Sequence, residues 1–118
     1  MITMDIDVPV LEPPRELGTG CCADVAVELD AERSGHLVSL AKALADPVRL
    51  QIVDVLRRRA GEVCVCDLER LFGISQPTLS HHLRKLREAG IAGVVRRGQW
   101  AYYYVNPDSL EDLRTWLS

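Results

Sequence analysis

The sequence predicts an α+β fold, mainly α, of winged helix-turn-helix type. Three observations carry the prediction. Ser75 opens a helix over "QPTLSHHLRKLREAG", and a tight turn at Gly73 separates it from a short helix before it. Two strands rich in aromatic and β-branched residues, "IAGVVR" and "WAYYYV", fold back through "RGQ" around Gly98. Amphipathic helices flank this unit on both sides. Helix, glycine turn, helix and hairpin in that order make the winged arrangement.

Each element has its own signals. Asp30 is a good N-cap, and Leu37, Leu40 and Leu44 recur at helical spacing after it. Asp46-Pro47 restarts the chain as cap plus proline, and Val48, Ile52, Val55 and Leu56 form the next apolar face. The basic run Arg57 to Arg59 ends that helix near Gly61. "EVCVC" reads as a short extended piece, and "DLERLF" as a helix of about two turns ending at Gly73. Ser75 caps the next helix and Gly90 stops it. After the hairpin, Asn106-Pro107 repeats the cap-plus-proline start, with Leu110, Leu113, Trp116 and Leu117 on one face. The predicted order is therefore α-α-α-α-β-β-α.

A chain of 118 residues suits one compact domain. Residues 1–28 lack sustained periodicity and contain Pro9, Pro13, Pro14, Gly18 and Gly20. They read as a flexible N-terminal arm carrying Cys21-Cys22, with the folded domain over residues 29–118. No apolar run reaches the roughly 20 residues of a membrane span. The opening "MITMDIDVPVLEPP" lacks the basic and apolar regions of a signal peptide, so a cytoplasmic protein with reduced thiols is expected.

The net charge of −3 argues against a general nucleic-acid binder, but its distribution is uneven. Residues 75–99 carry five cations against Glu88 alone, while residues 1–34 carry eight carboxylates against two arginines. A local basic element on an acidic chain is compatible with DNA binding through that element. On the helix after Ser75, Leu79, Leu83 and Leu86 share the core face, and Pro77, His81, Arg84 and Glu88 lie opposite. Gln76 and Thr78 sit where a reading helix meets base edges; Ser75, Arg84 and Lys85 suit phosphates. His81 faces outward as a further DNA contact, and Arg96 and Arg97 flank the hairpin tip. A solvated polar face is the plain alternative for this helix. His81 and His82 point about 100° apart and cannot chelate one ion together.

All four cysteines fall in two tight pairs, Cys21-Cys22 and Cys64-x-Cys66. In an extended segment residues i and i+2 share a face, so Cys64 and Cys66 could approach one ion. Cys66 also starts a helix, where the backbone dipole would lower its thiol pKa and favour the thiolate. Thiolates select soft ions, and two donors leave coordination incomplete. Small buried hydrophobes, an idle arm pair and a redox switch are the competing readings. No third group is placed to orient a histidine for cysteine nucleophilic catalysis, so an enzyme is not expected.

"ALADPVRLQIVDVL", "CVCDL" and "ISQPTLSHHLRKLREAGI" resemble the ArsR/SmtB family of metal- and metalloid-responsive repressors, over about residues 34–105. The resemblance implies a homodimer joined through its first and last helices. It implies repression at double-stranded operator DNA, with release on inducer binding. In the arsenic type a third cysteine follows "CVC" one turn later; here that position is Glu69. Cadmium/lead types add two arm cysteines from the partner subunit, usually several residues apart, and some arsenic-responsive members carry an adjacent arm pair. The resemblance thus favours As(III) or Sb(III), held by Cys21 and Cys22 of one subunit with Cys64 or Cys66 of the other. Cd(II) or Pb(II) on the same four cysteines is the runner-up. The last helix, "PDSLEDLRTWLS", has no histidine for the zinc site of other members.

Overall fold

The computed structural model describes residues 28–59 and 61–118. Its elements are α1 (Ala31–Leu44), α2 (Pro47–Arg59), β1 (Val63–Cys64), α3 (Val65–Phe72), α4 (Gln76–Glu88), β2 (Ala92–Arg97), β3 (Trp100–Val105) and α5 (Pro107–Leu117). The arm, with Cys21 and Cys22, lies outside the described residues.

Side-chain caps start the helices where the sequence places them. Asp30 accepts from the Arg33 N–H at 3.0 Å, and Asp46 from those of Val48 and Arg49 at 2.9 and 3.1 Å. Ser75 accepts from Thr78 at 3.3 Å and Asn106 from Asp108 at 3.1 Å. Each bond satisfies an N–H that has no partner within its own helix.

Leu40, Ile52, Leu56, Leu68, Leu79, Leu83, Leu86 and Ile91 are fully buried and form one core shared by α1 to α4 and the start of the hairpin. On α2 the buried set is Ile52, Val53 and Leu56, while Val48 and Val55 are half-buried. Val53 is an addition to the face expected from periodicity.

The extended piece before α3 is shorter than expected and better connected. Only Val63 and Cys64 are strand, and they pair antiparallel with Tyr103 and Tyr102 of β3. The hairpin is therefore part of a three-stranded sheet ordered β1-β3-β2. Helix α3 begins at Val65, two residues before the predicted start, because Cys64 itself serves as N-cap. α5 is locked to the end of α4: Asn106 Nδ2 and Ser109 Oγ both donate to the Gly90 carbonyl, at 3.1 and 2.6 Å.

Candidate functional site

Helix α4 stands on Leu79, Leu83 and Leu86, all buried, which leaves its other side in solvent. Ser75, Gln76, Thr78, His81, Arg84 and Lys85 are all exposed on it. Gly73, at φ 62°, closes α3 in the left-handed region and turns the chain towards α4. Ser75 is more than a cap: its hydroxyl donates to Thr78 Oγ1 at 2.9 Å. Arg84 reaches His81 Nδ1 at 3.3 Å and lies 3.9 Å from Glu88. His82 sits at the core edge instead, 3.3 Å from Arg49 and 3.9 Å from Asp46. Arg49 also donates to the Ala43 carbonyl at 2.7 Å, so one cluster ties the α1–α2 corner to α4.

The hairpin tip presents Arg96 and Arg97 beside Gly98. Arg97 is engaged within the chain. Both its terminal nitrogens bond the Glu62 carboxylate, the second at 3.2 Å, and its guanidinium lies 5.4 Å over the Tyr102 ring. The bonds and charge of Glu62 hold the Arg97 pKa above its usual value. Glu62 and Tyr102 were not among the residues expected at the site. Glu62 is 35 positions from Arg97, so no local spacing announces the pair.

Cys64 and Cys66 converge, with their sulfurs 2.6 Å apart. The cause is not the shared face of a strand, since Cys66 is helical. The N-cap geometry brings them together: the Cys64 sulfur accepts from the Cys66 N–H at 3.4 Å and so lies over the first turn of α3. The expectation of a lowered Cys66 pKa is overturned. The hydrogen bond to Cys64 raises it first, then desolvation, the Cys64 charge and Asp67; Arg70 only partly opposes them. Two sulfurs sharing one space disfavour a thiolate there. Among the described residues, no group of three or more His, Cys, Asp or Glu converges on one point. The pair offers two soft donors and needs others from elsewhere.

Residues 46–93 match the family of bacterial regulatory proteins designated arsR. The Arsenical resistance operon repressor of Bacillus subtilis is 42% identical over 61% of this chain and 68% of its own. The chain belongs to the ArsR family. Its members and relatives are transcriptional regulators, not enzymes. The Arsenic resistance transcriptional regulator ArsR1 of Pseudomonas putida is 48% identical over 57% of this ArsR-family chain, and the match spans about half, 52%, of that relative. The cadmium resistance regulatory protein CadC homolog of Staphylococcus aureus is 40% identical over 73% of the chain and 70% of its own. Among solved structures, NolR from Sinorhizobium fredii superposes with a TM-score of 0.62 at 34% identity, over 75% of this chain and 86% of that one. No helix among the described residues is long and apolar enough to cross a membrane.

Proposed function

We propose that this regulator is a cytoplasmic homodimeric repressor that binds operator DNA and lets go when trivalent arsenic or antimony is captured by cysteine thiolates. The convergence of the Cys64 and Cys66 sulfurs at the start of α3, directly ahead of the reading helix, carries the reading. Arsenical-resistance relatives support the choice of ion. Trivalent arsenic takes three sulfurs. Cys21 and Cys22 of one subunit supply two and Cys64 or Cys66 of the other the third. Such a strap would pull on α3, and through it on α4.

In this reading the dimer holds two copies of α4 about 34 Å apart, one turn of DNA, to enter successive major grooves. Gln76 and Thr78 meet base edges; Ser75, His81, Arg84, Lys85, Arg96 and Arg97 meet backbone. The inducer need favour the DNA-free arrangement by only about 1–3 kcal/mol to act as a switch. Cd(II) or Pb(II) on the same thiols is the second reading, favoured by the cadmium-resistance relative. A thiol-redox repressor is the third, favoured by the sulfur contact itself.

One experiment separates them. Arsenite is titrated against the operator complex of the reduced wild type and of a Cys21→Ser/Cys22→Ser variant, with sulfur-to-ion ultraviolet absorption recorded for arsenite, Cd(II) and Pb(II). Arsenite should release the wild type and not the variant. Release of both would remove the arm from sensing. Release by oxidant alone, with no stoichiometric ion bound, would establish the redox reading.

A further inference from the structure

The hairpin tip and the thiol pair are joined by a closed ring of contacts. Glu62 stands two residues before Cys64. Cys64 is registered opposite Tyr102 in the β1–β3 pairing. Tyr102 lies under the Arg97 guanidinium, and Arg97 returns to Glu62 through two hydrogen bonds. The ring therefore contains a candidate soft-ion ligand, a candidate DNA contact and the carboxylate that restrains it. β1 is only Val63–Cys64, so Glu62 directly precedes the strand that holds Cys64.

We propose that Glu62 is a positioning residue for DNA binding. It clamps Arg97, and this clamp couples ion capture at Cys64 to the wing, alongside the route through α3 and α4. The physical basis is competition for one guanidinium. Arg97 cannot turn its two-pronged face to Glu62 and to a DNA phosphate at once, Glu62 offsets its positive charge, and a carboxylate beside a phosphate repels it. Operator binding favours a wing in which Arg97 has turned from Glu62. An ion that fixes Cys64, and with it β1, keeps Glu62 in place and withholds Arg97. The coupling rests on the arsenite reading above; the clamp itself does not.

The test is a double-mutant cycle of Glu62→Gln and Arg97→Gln, read as affinity for an operator duplex that the wild type has selected from random DNA. Without ion, E62Q is expected to bind about two- to five-fold more tightly than wild type, the scale of an exposed ion pair. In the R97Q background E62Q should bring no gain. An equal gain there would mean general relief of negative charge and would overturn the clamp, as would unchanged or weaker binding by E62Q. With arsenite, E62Q should lose less affinity than the wild type does; an undiminished loss would overturn the coupling. A wild type that ignores arsenite would sink the functional reading and the coupling together, while the ion-free arm still decides the clamp. Both residues are exposed at the surface, and matching circular dichroism melts of the four proteins check that the fold is shared.

Discussion

In the proposed function, ion capture draws on Cys64 and Cys66, whose sulfurs lie 2.6 Å apart. Because Cys64 raises the Cys66 pKa, Cys66 gives up its proton less readily than a free thiol, and different ions meet that fact differently. A divalent ion such as Cd(II) must displace one proton for each thiol it takes. Its affinity should fall about tenfold per displaced proton for each unit of pH lowered, up to the raised thiol pKa. Arsenous acid, As(OH)3, condenses with three thiols and releases three waters, so the protons leave on the hydroxyls and none is set free. Its affinity should stay nearly flat from about pH 6 to 8. Competitive titration at three pH values checks this, and a steep arsenite profile would contradict ligation by protonated thiols. Among the proposed reading residues, Gln76→Ala is expected to cost about 1–3 kcal/mol at one base position and relax specificity there, measurable by binding to a panel of single-base operator variants. Both cysteines and the polar face of α4 were legible in the sequence, because capping and period-3.6 spacing are local. The Cys66 pKa was not. It depends on where a neighbouring sulfur comes to rest.

At the scale of elements, the helix ends do the positioning. Asp46 caps α2 and faces Arg49 and His82. Partial burial alone would raise its pKa, but the Arg49 and Val48 N–H bonds and the charges of Arg49 and His82 hold it below the usual range. A depressed carboxylate stabilises the fold above its unfolded pKa, and that contribution is lost as pH falls through the folded one, below about pH 4. Asp46→Ala should therefore lower stability by about 0.5–2 kcal/mol at neutral pH, the range for a lost cap, and flatten the acid limb of unfolding. Urea melts at pH 7 and pH 3 check it. Gly73→Ala should cost about 1–2 kcal/mol, because alanine resists the left-handed conformation that redirects α3 into α4. DNA affinity should fall with it as the two helices change angle. Both turns were readable from the chain, the first from Asp-Pro and the second from a lone glycine between capped helices. The strand character of Val63–Cys64 was not, since two residues carry no period and earn their assignment only from pairing with β3.

For the whole molecule, α1 and α5 leave apolar side chains in solvent. Leu29, just before α1, is 94% exposed, and Trp116 and Leu117 on α5 are 55% and 72% exposed. His36 of α1 bonds Asp112 of α5 at 2.9 Å, so the two helices present one surface. Trp116→Glu should push the proposed dimer towards monomer in analytical ultracentrifugation and abolish tight operator binding, because one α4 alone reads half a site. In the proposed dimer the salt dependence scales with both subunits. Four cations per subunit, Arg84, Lys85, Arg96 and Arg97, meeting eight phosphates predict a log–log slope of about −7. Lys85→Gln, present twice, should reduce it by about 2. A slope unchanged in K85Q would take that residue off the backbone contact.

The sequence by itself determined the order of helices and hairpin, the caps of α1, α2, α4 and α5, the core face of α4 and the family. The elements follow from backbone hydrogen-bonding needs and apolar periodicity, which act within a few residues; the family follows from the resemblance of its motifs. Tertiary structure alone decided which charges are free and how the sulfurs sit. Glu62 takes Arg97 from the local positive count because β1 pairs with β3 and brings residues 35 apart into contact. Cys64 meets Cys66 because it caps a helix. Electrostatic interactions depend on distances through space, and only the packed chain sets those distances.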